Sequence, residues 1–364
     1  MAVPEGITPG GTNILLVNKP MGVSVTSIRV GLPGALFSYS FNPFWERFFE
    51  ALGVEVVHSG PTTREMLDDG VREAVSEACV PIKVYHGHVR NLASRSDALF
   101  IPRYVSVDRG TVFCPKFLGL PDMIRFSMKD IPRVVSPRVD MRKGRLGLGF
   151  ACLSVASELG LPRTRAISAW LYATRSQASA GRPAAARAAG EEPAIVAASS
   201  REGGAGAAPA GSRLRIAVLG YPYAVYDRFL NMDLLRKLAR LGVDVLTVES
   251  LPSTLLNSSA GRLAKRLFWH YSDRVVRAAF RLIDTSSVAG LIHVTAFGCG
   301  PDALADRLID LESSKNGMPF MPLLIDENSG EAGLVTRLEA FVDMVRRSGA
   351  LSRRPAAHRV GGFA

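Results

Sequence analysis

The sequence predicts an α/β protein of two flavodoxin- or Rossmann-like lobes, each a parallel sheet flanked by helices, with a cleft between them. Three observations carry this expectation. Short β-branched runs alternate with longer helical patterns in both halves of the 364 residues, as in parallel sheets covered by helices. A stretch of biased composition divides the chain near its middle. Two pairs of segments also match across that divide at one shared offset of 189 residues. Val30-Gly31-Leu32-Pro33-Gly34-Ala35-Leu36-Phe37 resembles Leu219-Gly220-Tyr221-Pro222-Tyr223-Ala224-Val225-Tyr226, and Leu52-Gly53-Val54-Glu55-Val56-Val57 resembles Leu241-Gly242-Val243-Asp244-Val245-Leu246.

Taken in order, residues 1–27 read as a weakly patterned, flexible leader. The first lobe is expected over 28–173, with strands near 28–32, 54–58, 98–102 and 110–113. Its first helix has Asn42 as cap, Pro43 at the first helical position, and Phe44, Trp45, Phe48, Phe49 and Leu52 at helical spacing. Such an aromatic face belongs to a core. Residues 174–213 are mostly Ala, Gly, Ser, Arg and Pro, too poor in apolar surface to offset ordering entropy, and read as a disordered linker. The second lobe spans 214–347, with strands near 215–219, 243–248, 290–295 and 319–325 and helices near 228–241, 262–283, 301–313 and 331–347. Residues 348–364 form a basic tail.

Composition narrows the function classes. The net charge of +11 suggests nucleic acid until it is located: Arg346, Arg347, Arg353, Arg354 and Arg359 supply five of those charges with no acid among them. The remaining basic residues are dispersed, and no helix-turn-helix, zinc-finger or RNA-binding signature accompanies them. No nucleic-acid partner is expected. No apolar run reaches the roughly 20 residues that span a bilayer, and Met1–Lys19 lacks a signal-type apolar core, so the expectation is a cytoplasmic protein without a membrane partner. Four cysteines in so long a chain make no disulfide scaffold and leave the thiols available for chemistry.

Three of those cysteines share a context. Cys79-Val80-Pro81, Cys114-Pro115 and Cys299-Gly300-Pro301 each put a thiol just before a proline, at a turn that can open a helix. Free backbone N–H groups and a positive helix end at such a turn favour the thiolate that metal or cluster binding needs. The separations match no short zinc or ferredoxin spacing. Cys114 reads as ending the strand Thr111-Val112-Phe113, Cys299 as following Leu291-Ile292-His293-Val294, and Cys79 as closing a helical run of Leu67, Val71, Ala74, Val75 and Ala78. Ligands of parallel sheets lie outside the carboxyl ends of the strands, so the thiols fall where a cleft would place them. Cys152 differs, lying in the apolar helical stretch Leu148-Gly149-Phe150-Ala151-Cys152-Leu153, and reads as a packing residue.

The segments Glu77-Ala78-Cys79-Val80-Pro81-Ile82-Lys83-Val84-Tyr85-His86-Gly87-His88, Ile101-Pro102-Arg103-Tyr104-Val105-Ser106, Cys114-Pro115-Lys116-Phe117-Leu118-Gly119-Leu120-Pro121-Asp122, Thr295-Ala296-Phe297-Gly298-Cys299-Gly300-Pro301-Asp302 and Asp326-Glu327-Asn328-Ser329-Gly330-Glu331 together resemble the 2-hydroxyacyl-CoA dehydratase D-component superfamily. The closer resemblance is to its branch of activase-related proteins. It covers about residues 28–135 and 214–347. It implies two flavodoxin-like lobes holding an iron–sulfur cluster, [4Fe-4S] or one built from it, on Cys79, Cys114 and Cys299. It also implies an ATP-hydrolysing activator protein as electron-donating partner, with an acyl-CoA as candidate substrate and a homo- or hetero-oligomeric assembly. Gly34 stands where a basic residue is expected and Asn328 where a histidine is common, and both departures bear on substrate contacts.

Other residues carry two readings each. His86 and His88, flanking Gly87, offer a fourth iron ligand or a proton donor, or simply pack their helix. Glu327 and Glu331, crowded with Asp326, offer acid–base chemistry through a raised carboxyl pKa, or Glu331 merely begins a helix at its positive end. His293 inside an apolar strand reads as a core histidine. The turns Gly31-Leu32-Pro33-Gly34 and Gly220-Tyr221-Pro222-Tyr223 shape a cleft, and no Gly-Lys-Ser/Thr phosphate loop exists in the chain, so ATP hydrolysis falls to the partner. The expected function is an iron–sulfur component accepting low-potential electrons for reductive or radical chemistry. The alternatives are a catalytic acyl-CoA dehydratase or reductase subunit, and a non-catalytic scaffold or regulatory binding module.

Overall fold

The structure, a computed structural model, describes residues 28–178, 214–258, 263 and 265–352. The first lobe runs β1 (Arg29–Leu32), α1 (Ser38–Leu52), β2 (Glu55–His58), α2 (Arg64–Glu73), α3 (Val80–Ala93), β3 (Ala98–Phe100), β4 (Arg103–Ser106), α4 (Pro115–Ser127), β5 (Arg133–Val135), β6 (Arg138–Asp140), α5 (Leu146–Glu158) and α6 (Arg163–Ala178). The second runs β7 (Leu214–Gly220), α7 (Pro222–Tyr226), α8 (Leu234–Arg240), β8 (Val243–Thr247), α9 (Ser253–Ser258), α10 (His270–Thr285), β9 (Gly290–Ala296), α11 (Gly300–Lys315), β10 (Phe320–Ile325) and α12 (Glu331–Ser352).

Each lobe is built on a four-stranded parallel sheet, ordered β2-β1-β3-β5 in the first and β8-β7-β9-β10 in the second. In both, the first strand in the chain lies between the second and third, with the fourth outside. The two repeated sequence segments therefore fall on equivalent pieces: the first strand with its following turn, and the second strand. β4 and β6 form a separate parallel pair. The inner strands are buried, β7 from Ile216 to Gly220 and β9 along its whole length, as covering both faces of a parallel sheet requires.

One hydrophobic cluster runs through both lobes. In the first it is dominated by α1, whose Trp45 packs on Phe100 with ring centroids 4.6 Å apart and donates its indole N–H to the Tyr104 hydroxyl at 2.7 Å. The aromatic face is core, as its spacing implies.

Several boundaries differ from expectation. α1 begins at Ser38, not at an Asn42 cap, and Pro43 sits inside it. Burial of Ser38 and Tyr39 keeps the turn before the proline helical, although the ring forfeits one backbone bond. Residues 110–113 form no strand but a single bridge, Val112 to Trp269, because the Asp108 carboxylate accepts the N–H groups of Gly110 and Thr111 and folds them into a turn. The helix expected near 228–241 starts only at Leu234: Asp227 accepts from Phe229 and Leu230 N–H, and Met232 and Asp233 take positive φ. The helix expected from 262 begins at His270. α6 runs to Ala178 and α12 to Ser352, so 174–178 and 348–352 are helical, not linker and tail. The leader 1–27, the rest of the linker and 353–364 lie outside the described residues. Among those described, no helix is long and apolar enough to cross a membrane.

Candidate functional site

Cys79, Cys114 and Cys299 are each the N-cap of a helix, respectively α3, α4 and α11, and each is followed by proline in the first turn. The sequence makes these turns for one reason. Proline lacks the N–H that a first turn leaves unpaired, and it forces an extended residue before it. Cys114, directly before Pro115, has β-region backbone at ψ 158°, and Cys79, separated from Pro81 by Val80, takes ψ 151° as the non-helical N-cap of its helix. The Cys79 and Cys114 turns meet: the Lys116 ammonium, on α4, donates to the Glu77 carbonyl at 3.1 Å, and a Cβ at Gly298, the neighbour of Cys299, would stand 4.0 Å from that same carbonyl. Cys79 is buried, while Cys114 and Cys299 are partly exposed.

The three thiols lie within electrostatic range of one another. Burial is the main cause that raises the Cys79, Cys114 and Cys299 thiols above the ordinary range, Cys114 to about 11, and a charge on Cys79 raises both other thiols further. First-turn N–H groups act in the opposite sense, from Ile82 on Cys79, from Phe117 and Lys116 on Cys114, and from Asp302 on Cys299. Desolvation thus acts against the helix ends at all three thiols. Cys152 lies in α5 and is 1% exposed, with burial alone raising its thiol.

Aromatic residues wall the same region. Tyr221 and Tyr223, from the turn after β7, stand 5.7 Å apart by ring centroids, and both pack on Tyr271 of α10. Phe117, one turn into the helix that Cys114 caps, packs on Tyr223 at 6.0 Å. Ser272 Oγ donates to the Pro301 carbonyl, so its oxygen receives the Tyr221 hydroxyl at 2.7 Å, which ties that turn to the helix of Cys299. Sequence reasoning treated Gly220-Tyr221-Pro222-Tyr223 as backbone shape alone. The signal it passed over is that two large polar aromatics at a sheet's carboxyl end need somewhere to point.

The remaining candidates stand elsewhere or are already engaged. Ser59, His88, Thr62 and Asp227 form a directed chain across the lobes. The Thr62 hydroxyl donates to Asp227 at 2.5 Å, so His88 Nε2–H donates to Thr62 at 2.9 Å; Nδ1 then accepts from Ser59 at 2.7 Å, and Ser59 accepts the Gly34 N–H at 2.8 Å. Burial lowers His88 to about 4, consistent with this neutral tautomer. Both nitrogens being used, His88 is not free to ligate. His86 is buried and its Nδ1 meets the Ile82 carbonyl at 2.8 Å, the packing reading of that residue, with Nε2 lacking a partner among the described residues. Glu327 pairs with the buried Lys83, which lowers its carboxyl, opposite to the rise expected of crowded acids. Glu331 opens α12 and pairs with Lys237 at 2.8 Å. A cleft of about 540 Å³ between α2 and the second lobe is lined by Arg64, Leu67, Phe229, Arg240 and Glu327 among others, and the cysteines are not in its walls. At Gly34 a Cβ would come within 2.8 Å of the Gly60 carbonyl, so the expected basic residue has no room there. Asn328 belongs to a turn on the Asp326 carboxylate.

His293 is more than packing. It is fully buried between Asp306, at 2.8 Å from Nδ1, and Asp302, at 3.2 Å from Nε2 without hydrogen-bond geometry, so the second contact is ionic. Burial opposes its charge, and the two carboxylates prevail, raising it to about 9. Both partners lie on α11, the helix that Cys299 caps. Among the described residues no group of three or more His, Cys, Asp or Glu side chains is arranged to hold a metal ion.

Fold and site together define a two-lobed parallel α/β protein with three proline-flanked thiols at converging helix starts. The chain belongs to the CoA enzyme activase uncharacterised domain family, whose profile matches residues 29–251. Cys79 and Cys114 fall inside that match and Cys299 outside it. No curated protein matches the chain. Among solved structures, the lac repressor dimer bound to operator and the anti-inducer ONPF is similar over 82% of this chain and 92% of that chain, at 11% identity and a TM-score of 0.23, too loose a likeness to carry an argument.

Proposed function

We propose that Cys79, Cys114 and Cys299 together hold an iron–sulfur cluster, and that the protein accepts low-potential electrons there from an ATP-hydrolysing activator. The observation that carries this reading is that the three cysteines each cap a separate proline-flanked helix, with the Lys116 ammonium, two residues after Cys114, reaching the Glu77 carbonyl, two residues before Cys79. The donor set fits the group. Soft thiolates suit iron–sulfur clusters, and a cluster interposes its own iron and sulfide between its ligands, so its cysteines stand further apart than the ligands of a single ion at about 2.3 Å. Three positive helix ends and the Lys116 ammonium favour an occupant that is anionic overall.

When bound, the cluster supplies one-electron chemistry at low potential. The chain's own residues do the rest. Phe117 and the tyrosines exclude water, the first-turn N–H groups and Lys116 offset negative charge, and the Asp302–His293–Asp306 array holds the helix that Cys299 caps. The family's activase description and the absence of a phosphate loop support an ATP-hydrolysing protein as partner. An acyl-CoA acceptor rests on the resemblance alone.

The test follows cluster reduction by electron paramagnetic resonance, with a dehydratase-type activator, low-potential donor and ATP, omitting each in turn. A reduced-cluster signal should require all three. Signal growth indifferent to ATP or activator would reject the coupling, and an iron-free protein would favour a scaffold.

A further inference from the structure

The cleft of about 540 Å³ between α2 and the second lobe stands apart from the thiols. It lies where a parallel sheet receives ligands: Asp326 directly follows the last residue of β10, and Phe229 to Asp233 belong to the segment that leaves β7 by way of α7. Its volume is that of a small-molecule site, and such sites favour the boundary between two lobes. Leu67 of the first lobe and Phe229, Leu230 and Met232 of the second give it an apolar surface. Met232 and Asp233 take left-handed backbone there, at φ 53° and 59°. Buried Asn231 holds this turn, its amide donating to the Val225 carbonyl at 2.6 Å and its oxygen accepting the Leu234 N–H at 3.1 Å. Non-glycine residues in that conformation cost free energy and gather at ligand-binding turns.

The charges in the lining are unequal in their engagement. Asp233 pairs with Arg228 at 3.0 Å, Glu331 with Lys237 at 2.8 Å, and Glu327 with Lys83. The Asp326 carboxylate accepts the Asn328 N–H and the Ser329 hydroxyl, each at 2.9 Å. Every acid in the lining is thus occupied. Arg64, by contrast, meets Asp68 across one helical turn with its own side chain 70% exposed, a kind of pair that contributes little. The Arg240 guanidinium has no ion pair or hydrogen bond among the described residues. We infer that this cleft binds a small organic anion, a phosphate ester or carboxylate on an apolar body, with Arg64 and Arg240 receiving the anionic group and Leu67 and Phe229 the body. A guanidinium matches either group bidentately, and the two arginines come from opposite lobes. Because the cysteines are not in the cleft walls, the inference does not rest on the cluster reading.

Isothermal titration calorimetry of the full chain with phenyl phosphate, benzoate, inorganic phosphate and benzyl alcohol tests this. Phenyl phosphate or benzoate should bind, and the tighter of the two identifies the anionic group. Inorganic phosphate lacks the body and benzyl alcohol the charge, so both should bind about tenfold more weakly or worse. Arg64→Ala and Arg240→Ala should each weaken the preferred anion about tenfold, the effect of one charge-assisted hydrogen bond. Arg47→Ala, which removes a cation of α1 outside the cleft, should leave binding unchanged. Both cleft arginines are exposed, so their variants should melt with the wild type, and thermal melts verify that they are folded. Failure of both aromatic anions to bind at millimolar concentration, or binding indifferent to both cleft variants, would overturn the inference. Equal binding of inorganic phosphate or of benzyl alcohol would overturn the assigned ligand class.

Discussion

At the scale of single residues, position relative to a helix start separates the four cysteines better than burial does. Cys152 and Cys79 are both buried, yet only Cys79 caps a helix beside two others. Serine at 79, 114 or 299 should therefore remove most bound iron, since a hydroxyl is a poor ligand at a soft site, while Cys152→Ala should retain it. Iron analysis on folded variants checks this, and equal loss in all four would contradict it. His293 supplies a second prediction. Its folded-state value is raised from about 6.5 to about 9 by Asp302 and Asp306 against the effect of burial. A raised value means that its stabilising contribution is complete below about pH 6.5 and is lost as pH rises through about 9. Thermal melts between pH 6 and 10 should decline across that window, and His293→Gln should flatten the decline. An identical slope in the variant would sink the assignment.

At the scale of elements, the α2–α3 crossing positions Cys79. A Cβ at Gly87 would lie 1.7 Å from the Met66 carbonyl, and one at Gly70 equally close to the Lys83 carbonyl, so the two helices touch backbone to backbone. Gly87→Ala should cost about 3 kcal/mol or more in denaturant unfolding, at the upper end of overpacking penalties. A variant as stable as wild type would show that the crossing yields. The contact also explains why His86 and His88 looked like a motif: they flank a packing glycine. Much of the fold was legible because strand composition and helical spacing are local signals. β7 through β10 fall within about two residues of expectation. What was not legible depended on side chains bonding to distant or local backbone. The Asp108 turn erased the strand at 110–113, Asp227 and two left-handed residues delayed α8, and buried Ser38 and Tyr39 carried α1 back past Pro43. The short strands β4, β5 and β6 carry too few residues to show a period. At the site, the proline context marked the cysteines, but Tyr223, Lys83 and Lys116 gave no sequence pattern because their roles arise only when separate turns meet.

At the scale of the whole molecule, two copies of one sheet topology share one hydrophobic cluster, and directional polar contacts join them as well. Lys83 of the first lobe reaches Glu327 of the second, and the Ser59–His88–Thr62–Asp227 chain crosses nearby. Glu327→Gln would leave a buried ammonium without its charge partner, for a loss of about 3 kcal/mol, the lower end for breaking a buried pair because Glu327 is partly exposed. Since Lys83 lies one turn from Cys79, that loss should be accompanied by weaker retention of iron under chelator. The three proline-flanked thiols come from both copies, Cys79 and Cys114 from the first and Cys299 from the second. The most direct measurement is the iron and acid-labile sulfide content of the full chain purified without oxygen, read against the Cys79, Cys114 and Cys299 serine variants. The account predicts iron and sulfide in equal amounts in the wild type and little of either in each variant. A folded, colourless wild-type protein free of both would contradict it.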